Sequence, residues 1–183
     1  HLYTKHHTSP FEFAGVTVEV QAPIMVFREW HRHRTQSYSE ISARYTPLPD
    51  QNYRPSVLRC LMKNEANKQA STMKGSATLT VDTAEQWLAD LDEVYAHAER
   101  VYQSGLQMGV PKELARLPVP MGRYSRMRAT GNLHNWLRFF RLRTADDAQL
   151  EIRAFARNMV DLVKERFPRT LELYLEELEK HNG

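Results

Sequence analysis

The 183-residue sequence contains one cysteine, no long apolar run and no glycine-rich phosphate-binding loop. Because Cys60 is alone, an internal disulfide and a cysteine-only metal site are excluded, and a reducing compartment is favoured. No apolar stretch approaches the roughly 20 residues of a membrane-spanning helix, and no signal-peptide pattern opens the chain. The motifs GxGxxG and GxxxxGKS/T do not occur, which argues against a Rossmann fingerprint and a Walker loop. These absences predict a cytoplasmic protein without a membrane partner.

Positive charge is concentrated locally and is not spread along the chain. The net charge is +3 and the isoelectric point is near 9.0, which is modest for a nucleic-acid-binding protein. Arginines cluster within residues 28–44 and 116–143, whereas the end of the chain is acidic. This clustering favours recognition of a nucleotide or a phosphorylated cofactor over DNA. Adjacent His6 and His7 point apart on a helix or a strand, so no metal site is predicted.

The arginine-rich stretch at residues 32–34 is followed by a carboxylate, a hydroxyl and a guanidinium at Glu40, Ser42 and Arg44. Residues two apart share a face only on an extended segment, so the last three are predicted to project the same way from extended backbone. That arrangement suits a ligand with both a phosphate and a polar ring. A solvated basic loop is the alternative that the spacing leaves open.

The hydrophobic pattern predicts two strands, followed by helices without strand–helix–strand alternation, which indicates an α+β fold. One strand is expected over 13–21 and another over 124–130, and Asn132 is a natural N-cap for a helix over 133–143. Further amphipathic helices are expected to begin near residues 82, 146 and 170.

Two other segments carry predictions of a different kind. Trp87, Leu91, Val94, Ala98 and Val101 follow a helical stripe, which predicts core or a subunit interface. Residues 63–77 are poor in large apolar groups, and an exposed, mobile insertion is expected there.

Several segments, in order along almost the whole chain, resemble the flavin-dependent thymidylate synthases. Arg32-His33-Arg34 followed by Ser42 resembles the RHR motif with seven intervening residues before a serine, and residues 7–12 resemble the HxTPFEH segment. The stretch from Gly109 to Arg116 resembles GVPxExAR. Asn132, Leu142-Arg143, Ala148-Gln149 and Glu151-Ile152 resemble the family's last motif block.

The resemblance implies a single domain over 1–183, with an antiparallel sheet flanked by long amphipathic helices. It implies synthesis of dTMP from dUMP, with methylenetetrahydrofolate as carbon donor, FAD as redox carrier and NADPH as reductant. No cysteine nucleophile is used in the family, which agrees with the isolated Cys60. A homotetramer with active sites between subunits is also implied, and it would bury the stripe that begins at Trp87.

The resemblance also implies the site residues. FAD would contact Ser9, Arg32, His33, Arg34, Glu40, Asn132, His134 and Arg138. The nucleotide dUMP would contact Glu29, Trp30, His31, Arg32, Glu40, Ile41, Ser42, Ala43, Arg44, Arg116 and Arg143. Guanidinium and hydroxyl donors suit its 5′-phosphate. Arg143 would be the catalytic residue, stabilising negative charge as N3 of the uracil ionises.

The chain departs from the family pattern in three places. Glu29 stands where some members carry glutamine, and His134 and Arg138 stand where an arginine and an asparagine are expected. A family segment that precedes the HxTPFEH stretch, with flavin contacts of its own, is not in this sequence.

Two other functions fit parts of the sequence. Clustered arginines beside aromatic residues are typical of a module that binds single-stranded nucleic acid. Long amphipathic helices also fit a purely structural assembly protein, in which Arg32, Arg34 and Arg143 would be freely replaceable.

Overall fold

The computed structural model describes residues 2–62 and 78–182, so the insertion predicted at 63–77 lies outside the described residues. The elements in chain order are α1 (Ser9–Glu12), β1 (Gly15–Pro23), α2 (Ile24–Trp30), β2 (Ser37–Glu40), α3 (Val57–Leu61), α4 (Val81–Gln107), α5 (Lys112–Ala115), β3 (Tyr124–Asn132), α6 (Leu133–Arg143), α7 (Leu150–Arg166) and α8 (Pro168–Asn182). The predicted α+β class is confirmed.

The three strands form one sheet in the order β1-β3-β2. Leu133 N–H donates to the carbonyl of Ala14 at 2.7 Å, and Ile24 N–H donates to that of Arg123 at 2.9 Å. One strand therefore advances as its neighbour retreats, which is the antiparallel arrangement. Along β1, Val16, Val18 and Val20 are less exposed than the residues between them, which confirms the predicted alternation.

Two compact units divide the described chain. The terminal unit comprises residues 2–20, 28–39 and 127–182, and the central unit comprises residues 21–27, 40–62 and 78–126. Each unit is described separately below.

An aromatic cluster forms the core of the terminal unit. Asn132 caps α6 by accepting a hydrogen bond from Asn135 N–H, as its position predicts. The helix then places Trp136, Phe139 and Phe140 on one buried face. Trp30, from the end of α2, stacks on Phe139 with ring centroids 4.7 Å apart. This packing fixes the end of α2 against α6.

The last two helices differ in detail from the sequence predictions. Asp146 and Asp147 do not cap α7, which begins at Leu150 after Gln149 with no side-chain cap. Leu162, predicted to be buried, is 57% exposed. The buried face instead runs through Ile152, Ala156, Met159, Val160 and Val163.

Helix α4 is the longest element of the central unit. Its N-cap is Thr80, which pairs with Thr83 in a capping box, so the box predicted between Thr83 and Gln86 is displaced by one turn. Its buried residues are Ala84, Leu88, Ala98 and Tyr102.

Trp87, Val94 and Val101 are about half exposed, at 50%, 58% and 45%. The predicted stripe is thus divided between two faces of the helix, and only Ala98 of its members is buried. None of the described helices is long and apolar enough to cross a membrane.

Candidate functional site

Arg143 lies at the end of α6 and is held by three acceptors of the terminal unit. Its Nε donates to Nε2 of His33 at 2.8 Å, and its Nη1 donates to Oε2 of Glu29 at 3.1 Å. Its Nη2 donates to the Glu29 carbonyl at 3.0 Å. The Arg143 side chain is 17% exposed and that of Glu29 is 35% exposed. The guanidinium is therefore fixed in direction but still open to a ligand.

His33 is neutral at physiological pH. Burial, and then the positive charges of Arg143 and Arg138, lower its pKa to about 4 from 6.5. Because Nε2 accepts the bond from Arg143, the single ring proton is on Nδ1. The ring also packs edge-on against Phe139 at 4.7 Å. His33 therefore acts as an acceptor that orients Arg143.

The turn that follows α2 is fixed by side-chain hydrogen bonds to its backbone. Tyr38 donates its hydroxyl proton to the His33 carbonyl at 2.7 Å, and burial raises its pKa to about 12. Trp30 Nε1 donates to Oε1 of the buried Gln36 at 3.0 Å. Gln36 was missed by sequence reasoning, because its role depends on a contact that only the folded turn creates.

The other residues of the arginine-rich turn lie around this fixed backbone. His31 packs edge-on against Tyr38 at 4.8 Å, with Nε2 3.1 Å from Sδ of Met127. Arg32 and Arg34 are exposed. Within the described residues, neither guanidinium has a hydrogen bond or an ion-pair partner. Both are free to bind an anion.

A cavity of about 410 Å³ lies in the terminal unit between the N-terminal turn, α6 and α8. His134 and Arg138 line it, as do His7 and Thr8, and Ser9 follows directly in the chain. Its other lining residues are Tyr3, His6, Phe11, Leu137, Arg141, Leu142 and Glu177. Apolar walls together with cationic donors suit a flat ring that carries polar edges.

Glu177 of α8 joins two of the elements that surround this cavity. Tyr3 donates its hydroxyl proton to Oε2 of Glu177 at 2.5 Å, and Arg141 donates to Oε1 at 3.2 Å. Burial, and then the bond to Glu177, raises the pKa of Tyr3. Neither Tyr3 nor Glu177 was predicted from the sequence, since no motif joins residues so far apart.

The predicted nucleotide residues of the central unit do not follow the predicted extended pattern. Strand β2 ends at Glu40, and the chain then turns. Tyr45 N–H donates to the Ser42 carbonyl at 3.0 Å, and Arg44 N–H donates to Oγ of Ser42 at 3.3 Å. The expectation that Glu40, Ser42 and Arg44 all project from one strand face is therefore wrong. A turn forms because the serine hydroxyl captures a backbone donor.

This turn packs against α5 of the central unit. Arg44 forms a salt bridge with Glu113 at 3.1 Å, and Arg116 Nε donates to the Glu113 carbonyl at 3.4 Å. Lys112 Nζ donates to the Tyr45 carbonyl at 3.0 Å. Arg44 and Arg116 thus meet around Glu113, with Lys112 nearby. Lys112 was missed by sequence reasoning, although its position one turn before Arg116 was a usable signal.

Ile41 and Ala43 hold the turn in place. Ile41 N–H donates to the Arg126 carbonyl at 2.9 Å, and Ala43 is buried. In the described part of the chain, no group of three or more His, Cys, Asp or Glu side chains is arranged to hold a metal ion.

Comparison with known proteins adds a family model described as "thymidylate synthase complementing protein", which matches residues 1–169. The chain is 42% identical over 168 residues to a flavin-dependent thymidylate synthase of Thermus thermophilus, covering 92% of this chain and 59% of that protein. It is 34% identical over 176 residues to one of Dictyostelium discoideum, covering 96% of this chain and 56% of that protein. The chain thus spans less than two thirds of the length of these relatives.

A similar solved structure is a UMP/dUMP methylase from Streptomyces cacaoi bound with 5-Br UMP. It superposes with a TM-score of 0.77 at 32% identity, over 90% of this chain and 74% of that chain. The structure of the same methylase bound with 5-Br dUMP gives a TM-score of 0.76 at 32% identity, over 90% of this chain and 71% of that one.

Proposed function

We propose that this chain, which belongs to the thymidylate synthase complementing protein family, takes part in the methylation of dUMP to dTMP as a flavin-dependent thymidylate synthase. The observation that carries the proposal is Arg143. Its guanidinium is fixed by Glu29 and His33, yet it retains N–H groups for a ligand. The similar methylase with bound uridine nucleotides supports a pyrimidine nucleotide as that ligand.

The cavity of the terminal unit fits a flavin. Phe11, Leu137 and Leu142 provide apolar surface for a ring system, and Arg138 and His134 provide donors for its polar edge. We assign Arg32, His33, Arg34, Glu40 and Asn132 to the remaining FAD contacts, together with Ser9 at the start of α1. When bound, FAD supplies the redox step, with NADPH as reductant and methylenetetrahydrofolate as carbon donor.

We assign the nucleotide's phosphate to the cluster in the central unit. Ser42, Arg44 and Arg116 provide a hydroxyl and two guanidinium groups, and Arg groups bind phosphate oxygens in bidentate fashion. Arg44 would exchange its exposed ion pair with Glu113 for the phosphate, at little cost because exposed pairs contribute little. Glu29, Trp30, His31, Arg32, Glu40, Ile41 and Ala43 complete the proposed dUMP contacts.

Arg143 is proposed to act on the uracil ring. A fixed cation beside a ring carbonyl stabilises negative charge that develops on the ring, which makes the C5 carbon nucleophilic. This activation needs no covalent thiol. Cys60, the lone cysteine, is partly buried at the end of α3 and has no assigned role.

We further propose that the chain works as a homotetramer whose active sites combine residues of different subunits. Trp87, Val94, Val101 and Met108 are exposed at every seventh position of α4 and just beyond it. Such a stripe is typical of a helix face that packs on another chain. Size-exclusion chromatography with light scattering tests this, and a monomer at micromolar concentration would contradict it.

Residues 1–183 are proposed to form one functional domain, since the family model runs without interruption through both units. The cytoplasmic location suggested by the lone cysteine stays a prediction.

The first experiment is an absorbance spectrum of the purified protein after FAD is added and the excess removed, followed by release of tritium from 5-tritiated dUMP. We expect retained flavin absorbance, bleaching by NADPH and tritium release in the presence of dUMP. A colourless protein that releases no tritium would contradict the proposal. Oligonucleotide binding that weakens steeply with salt, without any response to dUMP, would favour a nucleic-acid-binding module instead.

Arg116→Ala tests the phosphate assignment. We expect weaker dUMP binding, while reduction of bound FAD by NADPH is less affected, because the change removes a phosphate donor and no flavin contact. Equal loss of both activities would place Arg116 elsewhere.

A further inference from the structure

We propose that Glu29 determines base specificity by accepting the N3–H hydrogen bond of the uracil ring, side by side with Arg143. This inference rests on the proposed function and assigns a role to the carboxylate itself. Glu29 contributes its carbonyl to Arg143 through the backbone, so the side chain has a function that the backbone does not already provide.

The hydrogen-bond inventory of the pair leaves complementary groups unused. A guanidinium has five N–H donors, and the described residues accept three of those of Arg143. Oε2 of Glu29 accepts one of these bonds at 3.1 Å, whereas Oε1 accepts none from the described residues. The pair therefore offers free N–H donors beside a free carboxylate oxygen.

Both side chains are held in the orientation that presents these groups. Glu29 lies in the last turn of α2, between the exposed Arg28 and Trp30, whose side chain is completely buried. Arg143 is turned by its bond to neutral His33. Because both side chains are only partly exposed, at 35% and 17%, a ligand bond to either would be shielded from water.

The free groups match the edge of a uracil ring. That edge presents a carbonyl oxygen next to N3–H, so an N–H donor beside an acceptor oxygen can satisfy both at once. A carboxylate that accepts the N3–H bond also raises the electron density of the ring without releasing the proton, while Arg143 stabilises the carbonyl. The same carboxylate repels a ring that has already lost its N3 proton.

The competing explanation is that Glu29 serves only as a counter-ion that positions Arg143. The two explanations differ in one measurable property. A counter-ion changes the affinity for every uracil nucleotide in proportion, whereas a direct N3–H acceptor discriminates between the neutral and the ionised ring.

The test is isothermal titration calorimetry of the FAD-loaded protein with dUMP and with 5-fluoro-dUMP, whose fluorine makes N3–H more acidic. Titrations of the wild type and of Glu29→Gln run from about pH 7 to about pH 9. In the wild type, we expect 5-fluoro-dUMP to weaken relative to dUMP by about tenfold as its ring ionises. In Glu29→Gln, we expect dUMP to bind about tenfold more weakly and the relative pH effect to fall below about threefold.

Glu172→Gln is the matched control, because Glu172 pairs with Arg169 on the exposed face of α8 and the substitution also removes one carboxylate. It should reproduce the wild-type pH profile for both nucleotides. Far-ultraviolet circular dichroism checks the folding of each variant. If Glu29→Gln does not fold, Glu29→Asp is used, which keeps the charge and is expected to retain the pH effect with weaker affinity for both nucleotides.

Parallel pH profiles for the wild type and Glu29→Gln would overturn the inference and leave the proposed function intact, as would loss of the pH effect in Glu29→Asp. Wild-type protein that neither binds dUMP nor releases tritium from it would overturn the proposed function instead. The two failures are therefore distinguishable.

Discussion

Arg143 and Arg123 are both bound by acceptors that come from distant parts of the sequence, but they differ in exposure. Arg143, in the terminal unit, bonds Glu29 and His33 and keeps 17% of its side chain exposed. Arg123, in the central unit, bonds the Pro49 carbonyl, Asp50 and Glu99, and its side chain is 0% exposed. One is a cation presented to a ligand, and the other is a cation enclosed by the fold.

The difference shows that an arginine's partners do not reveal its role until its exposure is known. A buried guanidinium whose bonds are all internal stabilises only the native state, and breaking its pair leaves an uncompensated buried charge. A partly exposed guanidinium with unused donors can exchange or add partners. Variants in the two regions should therefore separate catalysis from stability.

The largest effect is expected for Arg143→Ala. Loss of the fixed cation should reduce dUMP-dependent turnover by about a hundredfold to a thousandfold, the usual cost of removing a charge-stabilising donor. Tritium release from 5-tritiated dUMP measures turnover, and the melting temperature measures folding. Turnover like that of the wild type would show that another residue activates the base.

Glu99→Ala should give the reverse result, a loss of stability instead of a specific loss of chemistry. Removing this carboxylate leaves the buried Arg123 with only the Pro49 carbonyl and the exposed Asp50. We expect the free energy of unfolding to fall by about 3 kcal/mol, measured by urea denaturation. Glu99→Gln, which keeps an acceptor, should cost less, and equal losses would show that charge alone matters.

His33 should make the stability of the terminal unit sensitive to acid. Its pKa is about 4 in the folded chain and 6.5 ordinarily, so between these values the unfolded chain takes up a proton that the folded chain does not. The contribution of His33 is therefore fully present above about pH 6.5 and is lost as the pH falls towards about 4.

Urea denaturation of the wild type and His33→Gln across this range measures that contribution. The free energy of unfolding should fall more steeply with acid in the wild type than in the variant. Weaker dUMP binding is expected over the same range, because a protonated ring no longer accepts from Arg143. Identical acid slopes in both proteins would assign the sensitivity to other groups.

Arg54→Ala should have the smallest effect. Arg54 bonds Asp92 at 2.8 Å, but the two side chains are 49% and 50% exposed. Exposed pairs of this kind contribute less than about 1 kcal/mol. A thermal shift as large as that of Glu99→Ala would show that geometry, and not burial, sets the strength of ion pairs here.

The elements that sequence predicted well are those specified by short-range chemistry. The alternation in β1 follows from the two-residue strand period, and the start of α6 follows from the Asn132 cap. The errors occurred where neighbouring segments compete. Thr80 displaced Thr83 as the cap of α4, and the Ser42 hydroxyl converted an expected strand into a turn.

For the candidate site, the sequence identified residue types and their order but not their contacts. Arg143 was predicted as a site residue, yet its bonds to His33 and Glu29 span more than a hundred residues. Gln36, Lys112 and Glu177 were missed for the same reason. The sequence-derived stripe on α4 was similarly correct in being apolar, but its division into a buried and an exposed face depends on what packs against the helix.

The sequence by itself determined the α+β class, the main helices and the family to which the chain belongs, because local periodicity, caps and ordered motifs are properties of neighbouring residues. The tertiary structure decided which arginines are presented to ligands and which are enclosed. That distinction depends on desolvation and on partners brought together by folding, and neither property is encoded at a single position.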